Sequence, residues 1–210
     1  MSAQPLEESV EARAARLESR VPAPSAWWVL IAGVIGLAAS MALTVEKFKI
    51  LLDPHYVPSC NINPIVSCGS VMTTPQASLL GFPNPLLGVI GFTVAVVTGV
   101  LAVAKIPLPQ WYWIGLAVGA LIGAVLVHWL IFQSLYRIGA LCPYCMVVWA
   151  VTITLLVVLV SIVFRPVLDR GDSAVARVLY QWRWSIVTLW FTAVFLLIMV
   201  RFWNYWSTLL

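Results

Sequence analysis

A chain of 210 residues, 62% hydrophobic and only 10% charged, has too few ionisable side chains to clothe a water-soluble surface. Its formal net charge of +4 has no polar domain in which to gather a basic patch, which excludes nucleic-acid binding. The composition is that of an integral membrane protein.

Residues 1–26 are the polar exception. Glu7, Glu8, Glu11 and Glu18 mix with Arg13, Arg16 and Arg20. The stretch Glu8–Arg20 suits a short charged helix, ended by Pro22 and Pro24. It is too long and acidic for the n-region of a signal peptide, so it is expected to stay in the mature chain. Five apolar runs follow: Trp27–Val45, Pro85–Ala104, Trp111–Leu135, Cys142–Phe164 and Trp184–Phe202. Each is continuous and longer than a barrel strand needs, so the prediction is an all-α integral membrane protein. The first four of these helices fall within residues 27–164. Residues 165–183 are expected to be a charged cytoplasmic linker, and 184–210 a fifth spanning helix with a short outer tail.

The positive-inside rule chooses the orientation. With the N-terminus in the cytoplasm, the inner segments hold Arg13, Arg16, Arg20, Lys105, Arg165, Arg170, Arg177 and Arg183. The outer ones hold only Lys47, Lys49, Arg137 and Arg201. All four cysteines then fall outside the cytoplasm: Cys60 and Cys68 in the connection Glu46–Asn84, Cys142 and Cys145 at the start of the fourth span. That connection is far longer than a helical bundle needs, and such loops usually carry function. Its middle, Ser70–Leu80, suits a half-helix over the bundle, broken at Pro75.

Cys142-Pro143-Tyr144-Cys145 is a C-x-x-C pair at a helix start. With Cys142 as N-cap, Pro143 takes the first helical position, where its missing N–H costs nothing. Cys145 lies in the same turn, near the unpaired N–H groups that stabilise a thiolate. Two inert buried cysteines are the bland alternative. Cys60 and Cys68 flank Asn63-Pro64, a turn signal that brings them within bridging range. They suit either a structural disulfide or a pair that exchanges with Cys142 and Cys145. No metal site is expected, because this spacing is foreign to zinc ribbons and oxidising conditions favour disulfides. His128, inside the third span, is either a proton relay or a histidine satisfied by a neighbouring helix.

These features resemble the vitamin K epoxide reductase family, in its bacterial form without a fused thioredoxin-like domain. The resemblance covers Trp28–Phe164. It rests on the paired loop cysteines, on Phe82-Pro83-Asn84-Pro85-Leu86-Leu87-Gly88 entering the second span, and on Cys142-Pro143-Tyr144-Cys145. It implies four helices around a quinone of menaquinone or ubiquinone type. It also implies a separate thioredoxin-like, DsbA-like partner outside the cytoplasm. Cys145 resembles the thiol that meets the quinone, and Cys142 its partner. Cys68 resembles the loop thiol that attacks Cys142, and Cys60 the one that receives electrons. Asn84 matches an asparagine that hydrogen-bonds a quinone carbonyl, although it also suits an N-cap before Pro85. Trp149 stands where the vertebrate enzymes carry a ligand-binding tyrosine, and its only polar group is an N–H donor. The expected function is thiol–quinone oxidoreduction that reoxidises the partner. The alternatives are quinone or epoxide reduction for its own sake, outward transport of reductant across the membrane, or a scaffold with inert disulfides.

Overall fold

The computed structural model describes residues 18–19, 21–53, 55–79, 81–170 and 174–208. In chain order these form strand β1 (Glu18–Ser19), helices α1 (Ala23–Leu52) and α2 (Cys68–Met72), a 3-10 turn at Pro75–Ser78, and helix α3 (Pro85–Val103). Strand β2 (Leu108–Pro109) leads into α4 (Gln110–Gln133), which ends in a π-turn at Ser134–Ile138. Helices α5 (Pro143–Arg170), α6 (Ala174–Arg201) and the short α7 (Trp203–Trp206) complete the chain. Among the described residues, α1, α3, α4, α5 and α6 are long and apolar enough to cross a membrane. The all-α membrane fold read from the sequence holds, and this is a multi-pass membrane protein.

Helix α1 is the spine, packed along α3 on one side and α5 on the other; α5 also packs against α4, and α6 lies against α5. The α1–α3 contact is close because glycine permits it. A Cβ at Gly99 would stand 2.6 Å from the Leu30 Cα, and one at Gly33 would stand 2.9 Å from the Val96 nitrogen. Small residues draw helices together where lipid removes most of the hydrophobic drive for association. The α3–α4 seam is much looser than the packing of α1 on α3 and α5. At its far end the Tyr112 hydroxyl and Thr98 Oγ1 close it with a 2.6 Å hydrogen bond.

Several expected element bounds shift. Helix α1 does not end at Val45 but runs on to Leu52. Its charged extension survives because Glu46 and Lys47 are buried against partners rather than solvated. The expected linker 165–183 is largely helical, as α5 passes through Pro166 and α6 begins at Ala174. Residues 171–173 lie outside the described residues. So does the charged stretch Glu8–Arg20, apart from Glu18 and Ser19, which pair as a strand with Leu108–Pro109 rather than forming helix. The half-helix expected at Ser70–Leu80 with a break at Pro75 is present as two pieces, parted at Thr73–Thr74 just before that proline.

Candidate functional site

The loop after α1 is held in place by its own polar side chains. Glu46 accepts hydrogen bonds from the Tyr56 hydroxyl at 3.0 Å and from Ser59 Oγ at 3.3 Å, drawing the approach to Cys60 onto α1. The Asn63 carbonyl oxygen accepts from the backbone of Ile65 and Val66, making the turn that Asn63-Pro64 predicts. Ser67 then caps α2, accepting from the Ser70 N–H. Cys60 and Cys68 are joined as a disulfide with their Cα atoms 5.6 Å apart.

A two-bond backbone clamp sets this loop beside the C-x-x-C turn. Leu141 donates to the Ile65 carbonyl at 2.7 Å, and Ser67 donates to the Leu141 carbonyl at 2.8 Å. The clamp therefore joins the residues just before Cys68 to the residue just before Cys142. The Cys142 and Cys68 sulfurs lie 3.2 Å apart, and both residues are fully buried, at 0% exposure. Leu43 and Met72 pack around them. All four cysteines thus meet at one end of the bundle.

Pro143 opens α5, as its sequence context predicts, but the N-terminal donors converge on Cys142 rather than Cys145. The Cys145 backbone N–H donates to Cys142 Sγ at 3.4 Å. The Cys142 thiol is held below its ordinary value, first by the hydrogen bond from the Cys145 thiol, then by the Cys145 and Tyr144 backbone N–H groups, against the opposing effect of burial. In this state, with the loop pair oxidised and the helix pair free, the turn favours ionisation of Cys142 over that of Cys145.

Cys145, beside Cys142, also lines a cavity of about 650 Å³. Its wall is overwhelmingly apolar and draws on α1, α3, α4 and α5, with Met72 and Ala77 of the long loop also contributing. Trp149, buried one turn below Cys145, forms part of that wall. Asn84 is also in the wall but caps nothing. Turn carbonyls already serve the first donors of α3, Leu86 N–H on Pro83 and Leu87 N–H on Asn84. The Asn84 amide instead binds the 3-10 turn: its oxygen accepts from Leu79 N–H at 3.0 Å and its NH2 donates to the Gln76 carbonyl at 2.7 Å. The second N–H of that NH2 has no partner among the described residues.

Sequence reasoning missed Lys47. Its ammonium donates to the Met72 carbonyl at the end of α2, tying the Cys68 helix to α1, and it lines the cavity. The signal was present: Ser40, Leu43 and Lys47 recur at helical spacing, on one face of a helix that continues past its first charge. His128 takes the second of its two readings. Its Nε2 accepts from the Trp190 indole N–H of α6 at 2.8 Å, so Nδ1 carries the proton donated to the Ala124 carbonyl. Nearby, Arg201 donates to the Leu135 carbonyl at 2.8 Å, a second tie between α6 and the end of α4.

The vitamin K epoxide reductase family model matches residues 27–160, well over half of the chain. The chain belongs to that family, and membership implies oxidoreductase activity linked to quinone in the membrane. No curated protein matches the chain.

Proposed function

We propose that this vitamin K epoxide reductase family member reoxidises a thioredoxin-like, DsbA-like protein outside the cytoplasm and passes the electrons to a quinone. The observation that carries this reading is the 3.2 Å contact between Cys68 and Cys142, with Cys145 on the cavity side of the same turn.

The route runs through two exchanges. A partner thiolate reduces the Cys60–Cys68 disulfide by attacking Cys60, and a second partner thiol resolves the mixed disulfide. The freed Cys68 thiolate attacks Cys142 of a Cys142–Cys145 disulfide and releases Cys145 as the thiolate. Cys60 then attacks Cys68, restoring the loop disulfide and expelling Cys142. The donors gathered on Cys142 favour that step, because a stabilised thiolate leaves faster. The product is the redox state described above, with the loop pair oxidised and the helix pair reduced.

A quinone accepts the two electrons and two protons that the Cys142–Cys145 dithiol gives up on closing its disulfide. The cavity suits such a molecule: it is apolar, it reaches Cys145, and few of its wall groups are polar. The leftover Asn84 N–H and the Trp149 indole N–H are donors for a carbonyl oxygen. The Lys47 ammonium sits in the same wall, where a cation favours charge arriving on oxygen. Residues 27–164 are the catalytic unit in this reading, and α6 buttresses α4. The arginine and lysine distribution supports a cytoplasmic N-terminus. A reductant transporter would need thiols reachable from both faces, and the four cysteines gather at one end.

The α3–α4 seam gives a test. Gly119 of α4 lines the cavity, and a Cβ there meets nothing within 4 Å, so a larger side chain is accommodated without moving a helix. Gly119→Leu is expected to fold normally, to exchange disulfides between the loop and helix pairs, and to lose quinone-dependent oxidation of a reduced DsbA-like protein by roughly tenfold or more. Full quinone-dependent turnover in this variant would place the acceptor outside the cavity. Absence of quinone-dependent turnover in the unaltered protein would overturn the reading itself.

A further inference from the structure

The backbone clamp at Leu141 secures one loop cysteine and not the other. Its bonds come from Ile65 and Ser67, so it holds Cys68 beside Cys142 without help from the loop disulfide. Cys60 lies on the opposite arm of the turn, eight residues away in sequence. In the proposed route that disulfide opens, and Cys60 must then return to Cys68 to release Cys142. A contact other than the disulfide has to keep it in range.

Asn61, next to Cys60, reaches across to both residues that flank Cys68. Its amide oxygen accepts from the Gly69 N–H at 2.9 Å and from Ser67 Oγ at 3.2 Å. These bonds join the same two arms of chain that the disulfide joins, one residue from each cysteine. Gly69 permits the approach, since a Cβ there would stand 3.1 Å from Asn61 Nδ2 and would push the amide away. The turn itself does not need this amide. Asn63 makes the turn by accepting from Ile65 and Val66, while the Ile62 and Asn63 N–H groups donate to the Val66 carbonyl. The loop pair thus carries a noncovalent copy of its own cross-link. Such a copy acts on the open form, because two thiols held together re-form their bond with less loss of chain freedom than two thiols on free arms.

We propose that Asn61 is a positioning residue for the thiol–disulfide relay, a latch that keeps Cys60 against Cys68 while their disulfide is open. The step it serves is the attack of the Cys60 thiolate, its proton given up to water, on Cys68 of the Cys68–Cys142 disulfide. The Cys60–Cys68 bond forms, the Cys68–Cys142 bond breaks, and Cys142 departs with the electron pair as the thiolate. This role rests on the relay reading of the four cysteines.

The test uses the full chain in lipid nanodiscs and has two measurements. In a Cys142→Ala, Cys145→Ala background the loop pair is equilibrated with dithiothreitol buffers, and its reduced fraction is read by alkylation and mass spectrometry. Asn61→Ala should lower the equilibrium constant for closing the disulfide by roughly three- to tenfold, a rise of about 15 to 30 mV in reduction potential. Asn61→Asp should not, because only the amide oxygen is used and a carboxylate oxygen replaces it. The second measurement follows the chain with all four cysteines as it turns over a reduced DsbA-like protein and a short-chain quinone. There Asn61→Ala should raise the fraction trapped as Cys68–Cys142-linked molecules by a similar factor. A merely structural role predicts a lower melting temperature with neither change. If Asn61→Ala fails to fold, Gly69→Ala displaces the same amide and carries both readouts. An unchanged potential in a folded variant overturns the latch and leaves the relay standing. Absence of turnover in the unaltered protein, with the potential shifted as expected, overturns the relay and with it the role assigned to Asn61.

Discussion

In the double variant Cys60→Ala, Cys145→Ala, the two remaining cysteines are expected to join as a Cys68–Cys142 disulfide under mild oxidation, in nearly every molecule. The chain has four cysteines, so no third thiol is left to resolve the bond. The sulfurs already stand 3.2 Å apart, and the backbone clamp through Ile65, Ser67 and Leu141 keeps the two segments from separating. Both sulfurs are fully buried, which also protects the product from small thiols. Mass spectrometry of a non-reduced digest checks this directly, because the linked peptides come from α2 and from the start of α5. Two free thiols after oxidation would mean that the loop and helix pairs do not meet. Formation of this bond shows a competent path for exchange, because it is the intermediate that transfer between the pairs requires.

Cys145→Ala is expected to abolish quinone reduction, by at least about a thousandfold, while leaving the Cys60–Cys68 disulfide intact. Cys145 is the cysteine in the cavity wall, and without it no thiol is presented to the acceptor. Stability should change little, since the side chain is small and is replaced by another small apolar one. A stopped-flow measurement of quinone absorbance with the chemically reduced variant reads the loss. Normal reduction would move the electron exit to a group other than this cysteine. Comparison with Cys60→Ala alone separates the two stations: that variant should still reduce quinone from its helix pair once, but should accept no further electrons from a DsbA-like protein.

The architecture was legible in the sequence because membrane helices announce themselves through uninterrupted apolar runs, and the loop turn because Asn63-Pro64 carries its own local hydrogen bonds. Pro143 likewise marked the start of α5 from local chemistry alone. What escaped depends on contacts between distant segments. The end of α1 was misplaced because Glu46 and Lys47 look like loop residues until their partners, Tyr56, Ser59 and Met72, are known. Asn84 carried a strong capping signal, yet tertiary contacts with Gln76 and Leu79 claim its amide. The same limit applies to the cysteines. Helix position favoured Cys145 as the stabilised thiolate, whereas the turn directs its donors at Cys142. The clamp at Leu141 left no trace in residue type, since backbone groups make it.

The most direct measurement is an anaerobic titration of the fully reduced protein with a short-chain quinone, counting hydroquinone formed against thiols lost. Four thiols make two disulfides of two electrons each, so the relay predicts two equivalents of hydroquinone per chain, with Cys60 and Cys68 oxidised through Cys142 and Cys145. One equivalent, with Cys60 and Cys68 still reduced at the end point, would contradict it.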